Sequence, residues 1–408
     1  MNFIFISPNF PVRYFKWVEA LKNHGVNVLG IGDTPYYDIH ERLRKGLTEY
    51  YFVSDMNNYE AMRGAVGYFQ NKYGKIDFIE SNNEWWLTLD ARLREEFGVV
   101  TGFHPAQMQG IKAKSAMKEF FHKGGAKTMR YTLHSGPADI ERTKEFVEKV
   151  GFPVFVKPNI GVGAADSYAI RNRDQLEAFF QRDLPETYIM EEFVDGYIMS
   201  YDGVCNEESD VVFSTTDFFP TPIDKLVSTQ DDVIYYNNPF ELPFEHIDGK
   251  AFEQLGRNVV KAFGIKKRFF HIEFFILKED KEGLGKKGDA LGLECNMRPA
   301  GGYTPDLINY ANSFSCYELY ADIICYNEVR QKMDLPKFYA FAASRRKVKK
   351  YVHSEEEICA KYKDALCMRG RYPAHIAHEM GDNYFYAKFK TVEEGWAFAN
   401  FVTERAKD

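Results

Sequence analysis

Short apolar runs alternate with helical periods at the start of this chain, and that alternation restricts its fold more than any other feature. Residues 2–6 (NFIFI) are an apolar run. Pro11 to His24 carries apolar residues at helical spacing and stops at Gly25, and a second apolar run follows from Val26 to Ile31. A helical period from Tyr59 to Tyr73, a strand from Ile76 to Glu80 and a helix from Trp85 to Phe97, ended by Gly98, continue the pattern. Strands alternating with helices predict an open parallel sheet, an N-terminal α/β domain over residues 1–110. Ser7-Pro8-Asn9 follows the first strand where a dinucleotide fingerprint needs G-x-G-x-x-G, so a dinucleotide-binding Rossmann domain is not supported.

With 408 residues, and roughly 100–200 residues to a domain, more must follow. After Pro105 come a lysine-rich helix (Lys112 to Lys123), Gly124-Gly125 and a helix from Asp139 to Val150. Strands then dominate: Phe152 to Val156, Thr187 to Val194, Met199 to Cys205, Val211 to Phe218, Arg268 to Leu277 and Ala290 to Cys295. A helix from Gly249 to Phe263 interrupts them. This reads as a largely antiparallel, α+β region. The polar segment Lys278 to Asp289 reads as an exposed hairpin tip of no functional interest. A C-terminal α+β piece, 336–408, carries the basic run 345–350, read as solvated, and a closing helix from Val392 to Thr403.

Lys+Arg 52 against Asp+Glu 59 gives a net charge of -7, so no positive field draws the chain to nucleic acid or to an anionic membrane. The six cysteines form no C-x-x-C pair and read as reduced thiols. The N-terminus lacks the basic region of a secretory leader, and no apolar run approaches the ~20 residues of a membrane helix. The expectation is a cytoplasmic protein acting on small molecules.

Chemistry concentrates in three segments. In Gly292 to Gly302 (GLECNMRPAGG), Glu294, Asn296 and Arg298 share one face of an extended strand. A carboxylate and an amide oxygen at that spacing suit one hard cation, and the guanidinium suits an anion beside it. Taken alone, the pattern also fits a solvated strand face. The preceding strand, His271-Ile272-Glu273-Phe274, changes the balance, because a hairpin sets Glu273 alongside Glu294 and two such carboxylates need a cation. In Gly151 to Ala165 (GFPVFVKPNIGVGAA) a strand ends at Lys157 and opens into a small-residue loop with Gly161 and Gly163. Its backbone N–H groups suit phosphate oxygens, with the lysine as point charge. In Tyr188 to Gly196 (YIMEEFVDG) an apolar strand breaks into Glu191-Glu192-Phe193-Val194, whose backbone groups suit the edge of a base.

In order and content these segments resemble the ATP-grasp superfamily: Lys114 opening a helix (AKSAMKEFF), then Lys157 with Gly161 and Gly163, then EEFV, then Glu273, then E-x-N-x-R. The resemblance covers residues 1 to about 330. It implies a two-lobed grasp domain over 111–335, with a small lobe at about 111–194 and a large lobe at about 195–335. It further implies ATP between the lobes, with Lys114 and Lys157 on the phosphates and Glu191, Glu192 and Val194 at the adenine. Glu273, Glu294 and Asn296 are implied as ligands of Mg2+, for which Mn2+ substitutes, and Arg298 as the catalytic residue at the reacting carboxylate or acyl phosphate. The chain is most similar to biotin carboxylase, amino-acid ligases and related carboxylate–amine ligases. The implied function is a ligase, of carboxylate with amine or thiol, that releases ADP; an amino acid or small peptide is one substrate. Biotin-carboxylase-type carboxylation and a non-catalytic nucleotide-binding scaffold are the alternatives, and a homodimer is expected from resemblance alone. One departure concerns the ribose: many members carry G-x-E after the hinge, whereas Gly196-Tyr197-Ile198 stands here, leaving Asp195 as a substitute contact.

Other residues complete the expected site. Glu84, past the third predicted strand, is placed to hold a substrate ammonium or to cap a helix. Gly301 and Gly302 are assigned to the substrate, as is Lys225 in the specificity segment Pro220 to Phe244. His271 shares the face of Glu273 and either orders the cation site or serves the fold. Cys295 points away from it, into the core.

Overall fold

The computed structural model describes residues 1–161, 166–221, 226, 229–240 and 247–406. Its first sheet is parallel throughout, in the order β3-β2-β1-β4, from β1 (Asn2–Ile6), β2 (Asn27–Gly32), β3 (Glu49–Phe52) and β4 (Phe78–Glu80). Helices cover both faces, so β1 is apolar along its length rather than alternating. Phe3 and Phe5 pack with Trp17, Val18 and Leu21 on one side, and Ile4 and Ile6 pack with Val66, Phe69 and Leu93 on the other. The strand order reverses between β1 and β4. Open α/β sheets bind ligands at the carboxyl ends of such a pair, and the segment holding Glu84 leaves from that end of β4.

A short strand, β5 (Lys127–Thr128), leads into an antiparallel sheet ordered β6-β9-β7-β8, from β6 (Tyr131–His134), β7 (Val154–Pro158), β8 (Tyr168–Ile170) and β9 (Tyr188–Glu192). The predicted helix Lys112 to Lys123 is two helices, Pro105–Lys112 and Lys114–Lys123, broken at the extended Ala113.

The remaining strands form one nine-stranded sheet, β16-β17-β15-β12-β11-β10-β13-β14-β5. Its members are β10 (Gly196–Cys205), β11 (Val211–Phe219), β12 (Ile234–Asn238), β13 (Arg268–Leu277), β14 (Ala290–Asn296), β15 (Tyr339–Arg345), β16 (Leu366–Arg371) and β17 (Asn383–Phe389). The helix Gly249–Phe263 lies against it. Asp248 caps that helix at one end, left-handed Gly264 at the other, and Gly256 fits because a Cβ there would stand 2.5 Å from the Tyr201 ring.

The C-terminal α+β piece extends the large sheet, since β15 pairs with β12 and carries β16 and β17 into it. One expectation is corrected: the basic run does not begin as a solvated face. Arg345 and Arg346 are buried, Arg345 bonding to the Val402 carbonyl at 2.5 Å and Arg346 to Asp231 O at 2.8 Å and His378 O at 3.0 Å. These guanidiniums saturate backbone acceptors and hold the C-terminal strands.

Candidate active site

A cleft of about 670 Å³ separates the small antiparallel sheet from the large one. Lys114, Lys157, Glu191, Glu192, Val194, Glu273 and Glu294 all line it. On the large-sheet side, β13 and β14 pair antiparallel with Glu273 opposite Glu294 and His271 opposite Asn296. A register shift after Glu273 pairs Phe274 with Gly292 and leaves Leu293 as the extra residue. Bulges re-aim side chains next to functional sites, and here Leu293 and Glu294 both reach the cleft although they are neighbours on one strand.

The lysines come from the other side. Lys157 ends β7. Lys114 opens its helix, docked onto the loop after β7: Asn159 accepts from the Lys114 N–H at 2.8 Å and, through Oδ1, from the Ser115 N–H at 2.9 Å. Lys114 Nζ then stands 3.3 Å from the Gly161 carbonyl and 3.5 Å from Glu294 Oε1. Gly163 lies outside the described residues, as does Lys225.

Glu191 is buried between two cations, 2.5 Å from Lys118 Nζ and 2.7 Å from Lys157 Nζ. Burial opposes its charge, but the lysines prevail and hold its pKa at about 2. Burial likewise opposes the Lys157 charge, and Glu191 with the cleft carboxylates raises its pKa. Glu192 is held by Arg130 in a bidentate pair, both bonds 2.6 Å, with Lys281 3.4 Å away. Both carboxylates expected at the adenine are therefore committed to cations. Met129, Phe275 and Leu293 supply apolar walls.

Lys118, Arg130 and Lys281 escaped the sequence reading. Lys118 had a signal, being one helical turn beyond Lys114. The lysines of the hairpin tip had none, and that tip is a correction. Leu284, 3% exposed, packs in one cluster with Met129, Val194 and Leu291. Lys278 lines the cleft and pairs with Asp195 at 2.8 Å. The tip thus braces the hinge, while Ile198 occupies the cleft wall nearby.

His271 bridges Asp202 (Nδ1 to Oδ1, 2.7 Å) and Glu273 (Nε2 to Oε1, 3.1 Å). Burial works against its charge, yet the two carboxylates push its pKa up to about 10. Asn296 Oδ1 accepts from Arg298 at 3.2 Å, and Arg298 Nε lies 3.8 Å from Glu84 Oε2. The other Glu84 oxygen takes Lys112 Nζ at 2.7 Å. The structure thereby joins Glu84 to Arg298 at the switch point of the parallel sheet. Gly302 has φ +61, a left-handed turn that sends the chain from Arg298 into the helix Thr304–Asn312; Gly301 beside it is exposed. Cys295 is fully buried on the opposite side of β14, as expected. Among the described residues no group of three or more His, Cys, Asp or Glu is assembled as a metal site, and no helix is long and apolar enough to cross a membrane.

No family model matches the chain. Over nearly its whole length the structure is similar to an L-amino acid ligase from Bacillus licheniformis, with TM-score 0.71, 16% identity and coverage of 98% of this chain and 96% of that one. It is similar to N5-carboxyaminoimidazole ribonucleotide synthetase from Thermotoga maritima, with TM-score 0.68, 17% identity and coverage of 100% and 99%. It also resembles the biotin carboxylase domain of a 2-oxoglutarate carboxylase from Hydrogenobacter thermophilus, solved with MgADP, ADP and bicarbonate. There the TM-score is 0.69, the identity 13% and the coverage 96% and 87%. These are ATP-grasp enzymes, and the chain has the ATP-grasp fold. In sequence it is 26% identical over 171 residues to an L-arginine-specific L-amino acid ligase of Bacillus subtilis, a match spanning 42% of this chain and 39% of that protein.

Proposed function

We propose that the chain is an ATP- and magnesium-dependent ligase that activates a carboxylate as an acyl phosphate for attack by an amine, with an amino acid or small peptide as substrate and ADP and phosphate as products. One observation carries the reading: Glu273 and Glu294 stand opposite each other in a cleft whose facing wall presents Lys114 and Lys157. The donor set fits Mg2+. Two carboxylates and the Asn296 amide are hard oxygen ligands, and Mg2+ completes such sets with water and phosphate oxygens rather than with a closed protein cage. Glu273, Glu294 and Asn296 would hold the cation, which supplies charge neutralisation at the transferring phosphoryl group.

Lys157 and Lys114 bind the phosphates. Lys157 is presented by Glu191, which Lys118 holds in place. The backbone at Val194 faces the adenine. Ile198 stands where a ribose carboxylate is usual, and Asp195 with Lys278, both in the cleft wall beside it, are assigned to the sugar. Arg298 receives the substrate carboxylate and stabilises charge as it shifts to phosphate, and Glu84 receives the substrate ammonium in exchange for Lys112. The shared fold with ligases and the local sequence match to an amino acid ligase support this assignment.

Release of ADP, measured across pairs of amino acids, tests it. Turnover is expected only when a carboxylate and an amine are both present. ATP hydrolysis indifferent to both would sink the reading.

A further inference from the structure

Behind Glu273 the large sheet buries a second acidic pair. Along β10, Ser200 faces Glu273 and Asp202 faces His271; across the next ladder Asp202 faces Thr215, and Asp217 of β11 faces Asn237 of β12. Alternation sets these side chains in one polar belt running inward from the cleft. Ser200, Asp202, Thr215, Asp217 and Asn237 are all fully buried.

The donors in this belt are unequally shared. Asp202 takes His271 Nδ1 at 2.7 Å on Oδ1 and the Ser200 hydroxyl on Oδ2. Asn237 uses Oδ1 to accept from Thr215 at 2.8 Å and from Asn312 at 3.4 Å, so its amide nitrogen must point the other way, to Asp217 Oδ1 at 3.2 Å. Asp217 Oδ2 is buried without any donor, although the Asp217 side chain meets Asp202. Among the described residues neither carboxylate pairs with a lysine or an arginine, and the His271 ring contacts Asp202 alone of the two. Two fully buried carboxylates in contact do not both stay ionised. Asp202 has a donor on each of its oxygens. Asp217, with one donor and an unserved oxygen, is built to carry the proton. Burial and the Asp202 charge raise the Asp217 carboxyl well above its ordinary range, in the same direction.

We propose that Asp217 is a neutral acid whose O–H donates to Asp202, and that this acid pair positions Glu273 for its cation by fixing the His271 ring between Asp202 and Glu273. The inference rests on reading Glu273 as a cation ligand. Asp202 and Asp217 are positioning residues, since neither reaches the cleft, and the proton stays within the pair.

Two measurements on the full chain test it. Infrared difference spectroscopy at neutral pH should show a carboxylic-acid C=O band in the wild type that Asp217→Asn removes. Magnesium titration of ATP binding, followed by calorimetry, should show half-saturation weakened on the order of tenfold or more by Asp217→Ala and by Asp202→Asn, as for other residues that hold a metal ligand, and restored to within about twofold by Asp217→Asn. The rescue is expected because an amide N–H replaces the acid O–H. Binding of ATP without magnesium should not change. The Asp217 variants decide the matter if Asp202→Asn does not fold. An absent acid band, or Asp217→Asn as damaging as Asp217→Ala, would overturn the acid pair. A wild type that binds no ATP would overturn the proposed function instead.

Discussion

Glu191 sets the charge balance of the cleft, because it pairs directly with both Lys118 and Lys157, and removing it leaves two buried ammonium groups without their shared partner. Breaking such a buried arrangement costs about 3–5 kcal/mol, so Glu191→Gln should lower the thermal midpoint strongly at neutral pH. The pH dependence has a definite sign. The folded pKa, about 2, lies below the ordinary 4.5, so Glu191 adds stability that is fully present above 4.5 and is lost as the pH falls to about 2. Denaturant unfolding of both proteins across that range should show the gap between wild type and variant closing on the acid side. A gap independent of pH would mean that Glu191 is not held as an anion by the lysines. Little of this was legible in the sequence: the adjacent carboxylates of EEFV pointed to a base, and the helical spacing of Lys118 from Lys114 did not by itself join it to Glu191.

The hairpin β13–β14 carries all three cation-ligand candidates, Glu273, Glu294 and Asn296, along its strands and a tip that reaches the hinge. Leu284→Ala opens a cavity beside Val194 and Met129, a change that typically costs about 2–5 kcal/mol, and should weaken ATP binding by calorimetry because the hinge loses its support. Lys286→Ala, with the Lys286 side chain 80% exposed, serves as the control and should bind ATP normally. Unchanged affinity in Leu284→Ala would make the tip a passive connection. The hairpin strands were legible: a ten-residue run rich in aromatic and β-branched residues, closed by the polar tip, set the bounds of β13, and the pairing of Glu273 with Glu294 followed. The tip was not, since its polar sequence hides a single buried leucine. The helix Cys316–Tyr326 and strand β15 also escaped, for the opposite reason. Both are buried nearly throughout and show neither a helical nor an alternating polar face.

The parallel sheet is locked to the large sheet by buried charge, which ties the crevice at its switch point to the cleft between the other two sheets. Glu80, at the carboxyl end of β4, lies 2.5 Å from Arg268 of β13 and 2.7 Å from Arg94. Glu80→Gln should cost about 3–5 kcal/mol and uncouple the two units, with two calorimetric transitions expected in the variant and one in the wild type. A single unshifted transition would show that apolar packing alone holds them. At this scale the sequence was a good guide to the N-terminal sheet and the grasp lobes, because both are built from local strand and helix periods. How the C-terminal strands attach was not legible, because they join the large sheet through the long-range pairing of β12 with β15. The central claim is that the crevice delivers a carboxylate to a phosphoryl group held in the cleft. Its most direct test is a reaction with an oxygen-18-labelled carboxylate substrate and an amine, followed by mass analysis of the phosphate. The account predicts ADP and phosphate carrying one labelled oxygen, because the carboxylate attacks the γ-phosphorus and the amine later expels phosphate with that oxygen attached. Unlabelled phosphate, or AMP with pyrophosphate, would contradict it.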